Sequence, residues 1–187
     1  SQDKQGRIWI GTDQDGIDIL DKKTGEVRQL RNKTGDERSL QNNTVMVLYE
    51  DSSETMWVGT YKKGISYFNE CAFKFGAEYI GDISCIEEDK EGYVWLGTND
   101  VGIIYWNSVT GNRAAFPQKG MDKLTTDAIV CILKAGDGKL WIGTFGGGLI
   151  CYDNGRIIHY KKNIPERQNS LAHNNVLALA EDKQGII

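Results

Sequence analysis

The sequence is poor in histidine and proline, with only two residues of each among 187. The histidines, His159 and His173, lack metal-ligand spacing, so we expect no metal site and no His-centred acid–base site. Lys and Arg are scattered and the formal net charge is −4, so nothing attracts nucleic acid or an anionic membrane. No apolar run reaches the roughly 18–20 residues of a membrane-spanning helix. No cofactor and no catalytic residue is predicted.

The cysteines form no Cys-x-x-Cys pair, which disfavours a zinc ribbon or a thioredoxin-like motif. They stand at Cys71, Cys85, Cys131 and Cys151. Three of them take positions that apolar or aromatic residues fill in other copies of the repeat described next. We therefore expect free thiols that pack in the core, with disulfides as the alternative.

Glycine and aromatic residues are plentiful, and they recur in register. The motif Trp-(Ile/Val/Leu)-Gly-Thr occurs four times, and a further Gly follows four residues after each Thr. The tryptophans of the motif are Trp9, Trp57, Trp95 and Trp141, at spacings of 48, 38 and 46 residues. A period of about 40–50 residues is typical of a β-propeller blade with about four strands.

Short β-rich runs cut by glycine predict an all-β fold. The second repeat would contain strand a at 45–49, b at 56–59, c at 64–68 and d at 73–79. Strand d of the others would lie near 26–30, 113–116 and 156–160. We predict a partial β-propeller over 1–187, with four blade repeats of about four antiparallel strands. The blades are 1–31 plus strand a within 176–187, then 43–80, 81–117 and 127–162.

The chain opens at a strand b and ends at a strand a. Asp3-Lys-Gln-Gly6 recurs as Asp182-Lys-Gln-Gly185, just before the place of a fifth Trp. The segment 176–182 would complete the first blade of the same chain or of a second chain. We expect a fragment of a larger propeller array, with a homodimer through exchange of this strand as a hypothesis.

The repeated residues have structural jobs. Each Trp suits burial between sheets, and the Gly two residues later suits close backbone approach. The second Gly permits a positive φ in the b–c hairpin, and Asp-x-x-Gly predicts an a–b turn. Two copies depart from this pattern: Glu54 replaces the turn Gly, and Ala135 replaces the turn Asp. Each departure should affect one turn only.

This motif resembles the two-component regulator propeller repeat, and so does Ser39-Leu-Gln-Asn-Asn-Thr-Val45, echoed by Ser170-Leu-Ala-His-Asn-Asn-Val176. In that family the repeats form the periplasmic sensor region of hybrid two-component histidine kinases. Two propellers precede a β-sandwich, a membrane helix and the kinase, receiver and DNA-binding parts. The resemblance implies an oligosaccharide-sensing segment of a membrane-anchored parent that controls glycan-utilisation genes. The sandwich, membrane and kinase parts are absent from these residues.

The b–c and d–a connections should share one face, where propellers usually bind ligands. The b–c tips are 13–15, 61–63, 99–101 and 145–147, and the d–a connections are 31–43, 76–81, 117–127 and 163–174. Aromatic platforms beside polar groups suit sugars. The candidate ligand-binding residues are Tyr61, Lys62, Asn99, Asp100, Phe145, Arg38, Arg167 and His173.

Two other functions stay open. A protein-interaction scaffold would use the exposed face or an edge strand. A propeller lyase or glycosidase is disfavoured, because the histidines are not clustered and the sialidase box, with Asp five residues before Trp, is absent. Here the repeated Asp lies six residues before Trp.

Overall fold

Short antiparallel strands account for every regular element that the computed structural model describes, over residues 1–69, 74–107, 110–116, 124, 126, 128–162 and 170–187. These ranges contain no helix long and apolar enough to cross a membrane. The chain divides into two compact units, Ser1–Ile86 and Glu87–Ile187, which are described separately.

Each sheet runs in simple up-and-down order, as a propeller blade does. The first sheet contains β1 (Ile8–Gly11), β2 (Ile17–Leu20) and β3 (Val27–Leu30). The second contains β4 (Val45–Glu50), β5 (Met56–Thr60), β6 (Gly64–Asn69) and β7 (Lys74–Glu78). The third contains β8 (Ile83–Glu88), β9 (Tyr93–Thr98), β10 (Ile103–Asn107) and β11 (Arg113–Phe116). The fourth contains β12 (Ile129–Lys134), β13 (Leu140–Thr144), β14 (Leu149–Asp153) and β15 (Arg156–Tyr160).

The all-β fold with four blade-like sheets is confirmed, and most strand limits agree with the sequence to within one or two residues. One connection is shorter than predicted. Residues 76–78 belong to β7, because they pair with residues 65–67 of β6, so the connection begins at Tyr79 and not at residue 76.

The strand predicted over 176–182 is not formed. Among the described residues, the first sheet has three strands and residues 176–182 belong to none. Val176 does start as a strand a would, since its N–H donates to the Thr144 carbonyl at 3.0 Å, as Val45 donates to Thr12. Beyond Val176 no described strand lies alongside to satisfy the backbone groups, and a strand requires such a partner. At the edge of β1, Ser1 exchanges backbone hydrogen bonds with Trp9.

The aspartate of the a–b turn also accepts a hydrogen bond from the tryptophan of the motif. The sequence did not predict this bond. In three repeats the indole Nε1–H donates to a carboxylate six residues earlier: 2.8 Å for Trp9 to Asp3, 2.7 Å for Trp57 to Asp51, and 2.8 Å for Trp95 to Asp89. The same carboxylate accepts backbone N–H groups of the a–b turn, as at Thr55. Burial alone would raise the pKa of Asp3, but bonds from Trp9 and Arg7 outweigh it and lower that pKa.

The two glycines of the motif have the predicted roles. A Cβ on Gly59 would lie 2.5 Å from Val47 Cγ1 and 2.8 Å from Ile83 Cγ2, so the strands approach too closely for any side chain. Gly64 has a φ of 75°, and the corresponding glycines of the other repeats are also positive. The motif threonine closes each b–c hairpin, as when Thr60 Oγ1 donates to the Gly64 carbonyl at 3.1 Å.

The described cysteines lie on strands, as the repeat alignment predicted. Cys151 is a buried thiol, Cys85 and Cys131 are half-buried thiols, and burial raises the pKa of Cys131 and of Cys151. Cys71 lies outside the described residues. Such thiols pack in the sheets and are poor nucleophiles.

Glu54 stands at the turn position where other repeats have glycine, and its backbone is left-handed, with a φ of 64°. Replacing Glu54 with glycine should raise the free energy of unfolding by about 1 kcal/mol, because a non-glycine residue is strained there. The substitution also removes an exposed ion pair with Lys4 at 3.7 Å, which contributes little. Chemical unfolding of Glu54→Gly and of a Glu54→Gln control measures this gain. A less stable glycine variant would contradict it.

Candidate ligand-binding face

The b–c tips and d–a connections lie at the same end of the sheets, as predicted, and they are bonded to each other. In the first unit Asn42 Nδ2 donates to the Tyr61 carbonyl at 3.0 Å, and Thr44 Oγ1 donates to Asp13 Oδ1 at 3.1 Å. In the second unit Gly146 N donates to Asn175 Oδ1 at 2.8 Å. We call this end of each unit the loop face. At this face the tips are held by hydrogen bonds with an adjacent connection.

The long connection over residues 31–44 is ordered by its own side chains. Leu40 is fully buried in the core of the first unit. The Asn32 amide donates to the Leu40 carbonyl at 2.6 Å, and Asn43 Oδ1 accepts the Asn32 N–H at 2.7 Å. Asn174 repeats this role, accepting the Lys162 N–H at 2.7 Å. The Ser-Leu-x-x-Asn segment therefore has a structural role: it fixes the conformation of the connection that forms part of the loop face.

Tyr61 and Lys62 lie together at the second b–c tip. Tyr61 is 41% exposed, and Lys62 Nζ lies 5.0 Å from the centre of its ring, within cation–π range. A hydrogen bond and a charge interaction with Tyr61 raise the pKa of Lys62. The pair presents an aromatic surface beside a cation.

Arg38 lies in a groove that the sequence did not reveal. It lines an open groove of about 250 Å³ together with Arg28, Arg31 and Lys33, and one carboxylate, Asp36, is close by. The Arg38 side chain forms a 3.6 Å ion pair with Asp36. The folded-back connection brings these four cations into one groove.

The remaining predicted residues belong to the second unit. Asn99 and Asp100 are exposed at the third b–c tip, and Phe145, at the fourth, is 61% exposed. His173 Nδ1 accepts the Asn175 N–H at 3.0 Å. This ring nitrogen therefore stabilises the turn, as Asn42 Oδ1 does in the first unit by accepting the Thr44 N–H. Arg167 lies outside the described residues.

Over the described ranges, no three His, Cys, Asp or Glu side chains are grouped as a metal site would require. His159 lies on β15 and His173 lies in a loop. The loop face carries aromatic, amide and cationic groups, the kinds of group that proteins use for stacking on and hydrogen bonding to ligands.

Solved structures share this fold. The chain superposes on the extracellular domain assigned to the hybrid two component system BT3049 of B. thetaiotaomicron, with a TM-score of 0.81, 21% identity, and coverage of 99% of this chain and 26% of that one. The extracellular domain of BT4673, from the same organism and assigned to a one component system, gives 0.69 and 18%, covering 85% and 24%. Virginiamycin B lyase of Staphylococcus aureus gives 0.66 and 17%, covering 88% and 55%.

The chain thus spans about a quarter of the length of those two extracellular domains. None of the curated proteins matches it. The family model described as two component regulator propeller matches residues 1–14, 39–62, 80–100 and 123–146. Each matched segment contains one copy of the Trp-(Ile/Val/Leu)-Gly-Thr motif. Over these four segments the chain matches the two component regulator propeller model, as its repeat motif predicted.

Proposed function

We propose that this chain is a non-catalytic, ligand-sensing part of a two-component sensor protein, and that it binds an oligosaccharide on the loop face outside the cytoplasmic membrane. The parent protein would be anchored in the inner membrane and would carry a histidine kinase that controls glycan-utilisation genes. Exchange of the strand 176–182 between two copies stays a prediction.

The contrast between the repeated and unrepeated residues carries this proposal. The residues that the repeats share are engaged in the fold: Trp57 binds Asp51, Gly59 lets strands approach, and Thr60 closes a hairpin. The exposed residues of the loop face differ from copy to copy, as Tyr61 and Phe145 do. Variable groups on a rigid scaffold are typical of binding loops.

The charge of the groove around Arg38 supports a narrower ligand class. Four cationic side chains and one carboxylate line it. Guanidinium groups bind carboxylates and sulfates in bidentate fashion. Oligosaccharides that carry uronic acids or sulfate groups therefore suit this face better than neutral ones.

The two alternatives have less support. A lyase would need a clustered acid–base pair, and His173 uses Nδ1 in a turn. A protein-interaction scaffold would bury the exposed face against a partner. The aromatic rings beside cations on the loop face favour an oligosaccharide ligand over a protein partner.

Titration of the chain with neutral and acidic oligosaccharides, followed by calorimetry, tests the proposal. Replacing Tyr61 or Arg38 with alanine should weaken binding of an acidic oligosaccharide by about tenfold, because each loses a stacking or bidentate contact. Chromatography of the ligand after incubation should show no turnover.

Val27→Ala provides the control, because Val27 is 56% exposed and lies on β3, outside the loops. Its affinity should equal that of the unsubstituted chain. Binding to no oligosaccharide would favour the scaffold, and glycan cleavage would overturn the non-catalytic role.

A further inference from the structure

An aromatic slot lies outside the loop face, in the second unit. It has a volume of about 310 Å³ and is lined by Asp89, Glu91, Tyr93, Trp95, Tyr105, Phe116 and Tyr152. Two of the seven lining residues carry carboxylates and five carry aromatic rings. The proposed loop-face function leaves this slot unexplained.

The rings form a continuous wall. The ring centres of Trp95 and Tyr105 are 5.4 Å apart, and those of Trp95 and Phe116 are 5.3 Å apart. Phe116 and Tyr152 meet edge to face at 4.8 Å with an interplanar angle of 78°. Because these rings are nearly perpendicular, both ring faces and ring edges line the slot. Ring faces attract cations.

The first repeat shows what fits such a slot. Its equivalent of Asp89 is Asp3, which also binds a tryptophan indole, and its equivalent of Tyr93 is Arg7. Arg7 Nε donates to Asp3 Oδ2 at 2.6 Å, and the Arg7 side chain lines a cleft with Trp9. The guanidinium group is thus supplied by the chain itself in the first repeat.

In the third repeat the acceptor is Asp89, and Tyr93 stands where Arg7 stands in the first repeat. Asp89 accepts hydrogen bonds from the Glu91 and Tyr93 N–H groups and from Trp95 Nε1, but within the described ranges no Lys or Arg forms an ion pair with it. The carboxylate oxygen that binds Trp95 corresponds to the one that also binds Arg7 in the first repeat. Glu91 adds a second negative charge to the wall.

We propose that this slot is a second binding site, that it takes the guanidinium group of a ligand, and that the ligand's guanidinium binds Asp89 as Arg7 binds Asp3. The aromatic wall and Glu91 select a cation over a neutral group of the same shape. The site is independent of the oligosaccharide on the loop face.

Titration of the isotopically labelled chain with ethylguanidinium tests this, with the neutral isostere ethylurea alongside. The Trp95 indole Nε1–H signal in a nitrogen–proton correlation spectrum is the readout, because that group binds Asp89 directly. Ethylguanidinium should shift this signal, with an affinity about tenfold higher than that of ethylurea. The Trp9 signal should not move, because Arg7 already fills its slot.

Three variants sharpen the test. Arg7→Ala empties the first slot, so ethylguanidinium should then shift the Trp9 signal as well. Tyr93→Arg places a guanidinium in the third repeat and should abolish the Trp95 response. Glu91→Gln leaves the turn intact and should weaken binding of ethylguanidinium several-fold. This variant tests the site if Tyr93→Arg does not fold. Equal responses to ethylguanidinium and ethylurea, no response to either, or a Trp95 shift caused by an oligosaccharide would overturn the proposal.

Discussion

Replacing Asp51 with alanine should lower the free energy of unfolding by about 4 kcal/mol, because its carboxylate satisfies several donors of the a–b turn at once. Asp51 is 2% exposed. Its carboxylate accepts the N–H groups of Ser53 and Thr55, the Ser53 hydroxyl at 2.7 Å, and the Trp57 indole at 2.7 Å. Alanine would leave the buried Thr55 N–H and Trp57 indole without this acceptor.

Urea unfolding followed by tryptophan fluorescence and circular dichroism measures this loss. Asp137→Ala is the control, since Asp137 lies in the fourth a–b turn but is exposed and binds Lys139 at the surface. That substitution should change the stability far less, because solvent screens an exposed pair. Equal losses in the two variants would show that the carboxylate of Asp51 does not organise the turn and the tryptophan together.

Replacing Gly59 with alanine should cost about 3 kcal/mol, because one added methyl group overpacks a closed region. The new Cβ would approach Val47 on β4 and Ile83 on β8 to within 3 Å, so side chains of two sheets would have to shift. Thermal and denaturant unfolding of Gly59→Ala measures the cost. Adding Val47→Ala should recover part of it by removing the nearer obstruction.

Gly25→Ala separates crowding from backbone strain. Gly25 has a φ of 75°, and no atom would lie within 4 Å of a Cβ added there. Its alanine variant should cost about 1 kcal/mol from strain alone. A Gly59→Ala variant no less stable than Gly25→Ala, or not improved by Val47→Ala, would contradict the close-packing role.

The repeat made the fold predictable, because one motif recurs in register and its residues are used locally. Trp57, Gly59 and Gly64 each do in the structure what the spacing indicated. Residues 176–182 form no strand within this chain, because residue pattern alone does not supply a neighbouring strand, and their exchange with a second copy stays a prediction. The indole bond from Trp57 to Asp51 was missed, since a spacing of six residues does not reveal that a turn brings the two side chains together.

The candidate site was predictable only in its location. Knowing the strand order was enough to place both kinds of loop at one end, and the bond between Asn42 and Tyr61 is consistent with that placement. The composition of the surface was not predictable. The grouping of Arg28 and Arg38 depends on how the connection over 31–44 folds back, which its buried Leu40 decides.

Hydrogen–deuterium exchange in the presence of an acidic oligosaccharide tests the central claim most directly, because it reports where a ligand lies without assuming a site. We expect slower exchange at the loop face, in residues 13–15, 31–44 and 61–63 of the first unit. Exchange in the a–b turn over 51–55 should not change. Protection confined to the a–b turns, or none anywhere at saturating oligosaccharide, would contradict a sensing role for the loop face.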